Sequence, residues 1–120
     1  MHAIGFVDSI AMIVFLAGEN RFCSPDSTFL FHDFAWGSPN AVNFTRSQWG
    51  DLHRSLDNLK NRSQEILRLR TSLKDEDFKK MELYDKTTTY DANFAKEKGV
   101  VHEVKDASIL AGSVLANIDF

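Results

Sequence analysis

The chain has 120 residues, 43% of them hydrophobic and 26% charged, which is room for one globular domain over 1–120 and little more. Lys and Arg number 14 against 17 Asp and Glu, a formal charge of -3 that argues against nucleic acid as a partner, since phosphate binding needs a basic surface. The single cysteine, Cys23, excludes an internal disulfide framework and fits a reducing compartment, while His2, His32, His53 and His102 are too scattered for a metal site.

Ile4, Phe6 and Val7 around Gly5 predict a short strand over Met1 to Val7. Ser9 then opens an apolar run from Ile10 to Ala17 that stops at Gly18, the pattern of a helix buried on nearly all sides. That run is far short of the roughly 20 residues a membrane span needs. The residues before it hold Asp8 and no Lys or Arg, unlike a secretion signal, so no membrane and a cytoplasmic setting are expected. Ser24-Pro25-Asp26-Ser27 is a turn signal. Phe29-Leu30-Phe31 reads as a buried strand delivering His32 to its end, followed by loop over Trp36 to Asn40.

From Thr45 to Arg70 the spacing becomes helical. Trp49, Leu52, Leu56, Leu59, Ile66 and Leu73 fall on steps of three and four, with Ser63 and Arg70 interrupting the stripe. At 1.5 Å per residue such a helix is about 39 Å long, so one end should project from a domain this small. Ser72, with Asp75 three residues on, predicts an N-cap for a further helix through Tyr84. Thr87 to Tyr90 has strand propensity. Asp91 caps a helix from Ala92 to Lys98, Gly99 stops it, Val100-Val101 begins a strand, and Ala107 to Ile118 reads as helix. The fold class is α/β.

Ser9 is the first candidate for chemistry. At a strand-to-helix junction its hydroxyl would lie near the positive end of the helix dipole, with free N–H groups at hand for an oxyanion. His32, at the end of a strand, is the candidate base. Serine is also among the commonest helix caps, and both readings stand on position alone. Phe15, Phe29 and Phe31 are expected in the core, with Cys23 as a small hydrophobe among them. His53 is expected on the surface, His102 is assigned no chemistry, and Trp36 is expected as a packing anchor.

Gly5-x-x-x-Ser9-x-Ala11, Leu16-Ala17-Gly18, Arg21-Phe22-Cys23-Ser24-Pro25-Asp26-Ser27 and Phe29-Leu30-Phe31-His32 together resemble the middle of the Clp protease proteolytic subunit. Tyr90 to Val104 resembles the closing helix, glycine and strand of the wider Clp and crotonase superfamily, and the long helix matches the family's handle helix in position and length. The resemblance spans about residues 4 to 105 in order. It implies the C-terminal part of a ββα superhelix with a projecting handle helix, and an N-terminally truncated relative, because the family carries several ββα turns ahead of its serine.

The resemblance also implies roles. Ser9 would attack a peptide carbonyl, His32 would take its proton, and an aspartate beyond the handle helix would orient the histidine. Counted back from Gly99, that aspartate falls on Thr87, and Asp85, two residues earlier, is the nearest carboxylate and the candidate third member. Asp8 departs from the small apolar residue that the family usually has before its serine. The implied function is a serine peptidase subunit acting on peptide substrates without a cofactor or metal, as a homo-oligomer through Leu52, Leu56, Leu59 and Ile66, fed by an ATP-driven unfoldase. The competing readings are a catalytically silent structural subunit of the same fold and a crotonase-like acyl-CoA binder.

Overall fold

The computed structural model describes residues 1–37, 43–108 and 110–114. Gly5 divides the first apolar segment: its φ of 127° lies where side-chain-bearing residues are strained. Instead of one strand there are two, β1 (His2–Ala3) and β2 (Phe6–Asp8), and they enter different sheets. β1 pairs in parallel with β3 (Phe22–Cys23), which pairs in parallel with β6 (Glu103–Val104). β2 pairs in parallel with β4 (Thr28–Phe31), with Val7 opposite Phe29. β5 (Thr88–Tyr90) lies antiparallel on the far edge of β4, with Thr88 opposite Phe31.

α1 (Ser9–Leu16) packs only one side on this sheet. Met12, Phe15 and Leu16 are buried, whereas Ile10 is 72% and Val14 54% exposed, so the helix is not enclosed on all sides as its composition suggests. α2 (Arg46–Arg70) starts where the sequence predicts. Thr45 accepts from the Gln48 N–H, and the Gln48 side chain accepts from the Thr45 N–H, a reciprocal cap. Of this helix only Ser63 and Leu67 are fully enclosed. Trp49, Leu59 and Leu69 stand in solvent, so the leucine stripe is not a core face along its whole length.

α3 (Asp75–Met81) starts later than predicted because the Ser72 N–H is tied to the Lys98 carbonyl at 2.9 Å and Leu73 is buried. The Lys74 N–H, accepted by Asp77, marks the actual start. The helix ends at Met81, since Glu82 turns left-handed with φ 50°. α4 (Ala92–Glu97) begins at Asp91, which accepts from the Phe94 N–H at 2.8 Å, and stops at Gly99 with φ 69°, as predicted. Val100 and Val101 are buried but form no strand, because the Val101 N–H bonds back to Ala95 and the Val100 carbonyl is taken by Arg21. In the tail, 107–108 and 110–114 form no helix, and Ile109, residues 115–120 and the loop residues 38–42 lie outside the described residues.

Phe15, Phe29, Phe31 and Cys23 sit together in one hydrophobic cluster with Met12, Leu16, Leu67, Leu83 and Tyr84. Burial pushes the Cys23 thiol up, away from thiolate chemistry. Arg21 is buried without a carboxylate. Its guanidinium donates to the carbonyls of Gly18 after α1, Arg70 at the end of α2, and Gly99 and Val100 after α4. Three helix C-termini, each a partial negative charge, thus converge on one cation. His102 closes the same region, its Nδ1 accepting from the Arg21 N–H at 3.1 Å. Trp36 is 60% exposed and anchors no packing, and His53 lies on the surface beside Asp57.

Candidate active site

β2 delivers Ser9 to the head of α1 by a sharp turn. Asp8 is extended and occupies the cap position, and its carboxylate bonds none of the helix's N–H groups. Ser9 is therefore not the cap. It is the first helical residue and holds φ at 49°, a left-handed conformation that costs a side-chain-bearing residue about 1–2 kcal/mol. Strand, left-handed serine, helix is the kind of turn that lifts a hydroxyl clear of its backbone. The first N–H groups of α1 lack partners within the helix and point the same way as its dipole, which suits developing negative charge.

β4 delivers His32 from the neighbouring strand. Its Nδ1 lies 2.7 Å from the Asp33 carbonyl oxygen. Ser9 and His32 line one cavity of about 90 Å³, together with Ile10, Ile13, Phe34, Leu59, Ser63 and Tyr84. Four separate parts of the chain meet there. No direct hydrogen bond joins Ser9 to His32 among the described residues, although the two share this cavity.

Tyr84 and Ser63 are the residues the sequence reading misses. Tyr84 is buried, and burial pushes its phenol up to about 12, with the Ser63 hydroxyl pulling weakly the other way by hydrogen bonding. It too is left-handed, with φ 66°. Among the described residues three side-chain-bearing ones have positive φ, and two of them, Ser9 and Tyr84, line this one cavity. Strained backbone of this kind persists only where surrounding packing enforces it, and it concentrates at functional sites. Ser63 did leave a trace in the sequence, as the polar break in the leucine stripe of α2.

Asp85 is not brought to the pair. Its exposed carboxylate is held by Lys60, and both line a different, polar groove with Asn61, Gln64 and Arg68. Lys60 of α2 thus pairs with Asp85, and neither residue lines the cavity of Ser9 and His32. Among the described residues no group of three or more His, Cys, Asp and Glu could hold a metal ion, and no helix is long and apolar enough to cross a membrane.

The Clp protease family profile matches residues 1–108, from β1 past β6. The chain belongs to the Clp protease family. No curated protein matches it. The matched range takes in Ser9, His32 and the whole of α2 and α4. Thr87 and His32 each lie one residue beyond the Phe31–Thr88 pair that ends the antiparallel ladder.

Proposed function

We propose that this chain is a single-domain Clp-type serine peptidase subunit in which Ser9 is the nucleophile and His32 the general base. The observation that carries this reading is the shared cavity, where a left-handed serine at a helix head meets a histidine delivered by the adjacent strand. Ser9 Oγ would attack the peptide carbonyl carbon as His32 takes the hydroxyl proton, forming a tetrahedral adduct whose oxyanion faces the N–H groups of α1. The adduct would collapse as His32 returns the proton to the leaving amine, giving an acyl-serine that water then hydrolyses by the same exchange. Asp85 has no part in this reading, since Lys60 holds it in another groove.

The family supports peptide substrates and oligomeric assembly. In this reading α2 is the projecting helix, and its exposed Trp49, Leu59 and Leu69 meet a second copy. An unfoldase partner and an intracellular setting follow from the same reading. A second reading, an inert subunit of the same fold, is favoured by one observation: Ser9 and His32 share no hydrogen bond.

A fluorophosphonate probe separates the two. The peptidase reading expects labelling that disappears in Ser9→Ala and falls in His32→Ala. A folded chain that takes no label would sink it and leave the inert subunit.

A further inference from the structure

We infer that the main-chain carbonyl of Asp33, and no carboxylate, is what orients His32. The inference rests on the reading of His32 as general base and replaces the third member of that reading. The distance from His32 Nδ1 to the Asp33 oxygen is 2.7 Å, that of a well-made hydrogen bond. A carbonyl oxygen only accepts, so Nδ1 carries the proton and Nε2 keeps its lone pair. That is the tautomer a base needs if Nε2 is to take the Ser9 proton.

The carboxylates that could compete for Nδ1 are otherwise placed. Asp85 is held by Lys60 in a separate groove that shares no lining residue with the cavity. The side chains of Asp33 and Asp8 are exposed. One residue beyond the Phe31–Thr88 pair, as His32 is, stands Thr87, a neutral hydroxyl. The walls of the cavity itself add Ser63 and Tyr84, both neutral, because burial keeps the phenol protonated.

A carbonyl fixes the ring's tautomer and angle as a carboxylate does. It differs in giving the imidazolium no full negative charge, so the base works without charge compensation. Losing the carboxylate's contribution altogether, tautomer included, lowers turnover about 10⁴-fold in the serine protease template. A carbonyl orienter retains the tautomer share of that and forgoes only the charge share.

The test is the protonation pattern of the His32 imidazole nitrogens, read by NMR on the intact chain near neutral pH, with Ser9 labelling measured alongside. The expected result is a proton on Nδ1 and a bare Nε2, unchanged in Asp85→Ala. A proton on Nε2, or a switch of tautomer in Asp85→Ala, overturns the inference. Thr87→Asp adds a second readout. A carboxylate introduced there, one residue beyond the Phe31–Thr88 pair as His32 is, should speed labelling at least about tenfold by supplying the missing charge. An unchanged rate there would mean that the charge is already supplied, and would also overturn it. The two readings fail separately. A Nδ1-protonated His32 in a chain that takes no label supports the carbonyl's role and sinks the peptidase, whereas labelling with a Nε2-protonated His32 does the reverse.

Discussion

Tyr84 stacks on Phe34 with ring centroids 5.2 Å apart and planes 21° from parallel, and both rings line the cavity that Ser9 and His32 share. Phe31 meets the same Tyr84 edge-on at 5.8 Å and meets Tyr90 at 6.0 Å, and Tyr90 in turn stacks on Phe94 of α4. The cavity wall is thereby continuous with the core of the sheet. A change at Tyr84 is felt in both places.

That wall limits what enters. At about 90 Å³ the cavity is smaller than the ~150 Å³ space that admits a benzene ring, so it suits an aliphatic side chain and excludes an aromatic one. Tyr84→Ala should enlarge it and shift the preference of Ser9-directed probes from aliphatic towards aromatic side chains. It should also destabilise the fold by about 3 kcal/mol, as the loss of a buried ring does. Paired probes that differ only in that side chain give the ratio, and denaturant unfolding gives the stability. An unaltered ratio in folded Tyr84→Ala would mean that another residue sets the limit.

Ser9 holds its hydroxyl in place at the cost of left-handed backbone. Ser9→Gly removes that strain along with the nucleophile, because glycine adopts φ near 50° freely. The variant should unfold at higher denaturant, by about 1 kcal/mol, and take no fluorophosphonate label. Ser9→Ala, which keeps the strain, should match the parent in stability. Were glycine destabilising there, the left-handed turn would not be the conformation in solution.

Local signals explain which parts of this fold are legible in the sequence. Thr45 with Gln48, Asp91 with Phe94, and Gly99 each act within one helical turn, and each falls where the sequence puts it. Ser72 looks like a cap by the same rules but is captured by Lys98, 26 residues further on. Val100 and Val101 have the composition of a strand, yet their backbone groups are claimed by Ala95 and Arg21. The site divides in the same manner. Ser9 and His32 stand out at element boundaries and in the family motif. Tyr84, Ser63 and Phe34 reach the cavity only through the packing of α2 and the chain after α3 against the sheet, and no spacing rule reports that convergence. The pairing of Asp85 with Lys60 is illegible for a related reason: nearness in sequence to an expected position says nothing about a partner 25 residues away.

Arg21 carries an inter-element bond set that Arg70 duplicates only at Gly18. Arg21→Met fills much of the same space but leaves the carbonyls of Arg70, Gly99 and Val100 short of a donor, while Gly18 keeps the one from Arg70. With each buried orphan worth about 1–3 kcal/mol and partial rescue by Arg70, which already donates to Leu16 and Gly18, a net loss of about 3 kcal/mol is expected. Arg21→Lys should restore little of it, since a single ammonium cannot span three helix ends. Denaturant midpoints of the two variants check this, and a Lys variant as stable as the parent would refute the geometric argument.

The link between α3 and α4 titrates. Lys98 donates to the Asp77 carboxylate at 2.9 Å, and that hydrogen bond, followed by the one from the Lys74 N–H, holds Asp77 below the ordinary carboxylate value of 3.8. A group depressed in the folded state binds its proton more readily once unfolded. Its stabilisation is therefore present in full above the unfolded value and is lost as the pH falls through the lower, folded one. The pair is partly exposed, so the effect is modest and salt should weaken it. Asp77→Asn should leave the chain slightly less stable at neutral pH and flatten the fall in stability below pH 3.8, which unfolding midpoints across the acid range would record. Parallel acid limbs in the two proteins would mean that Lys98 and Asp77 do not hold α3 and α4 together in solution.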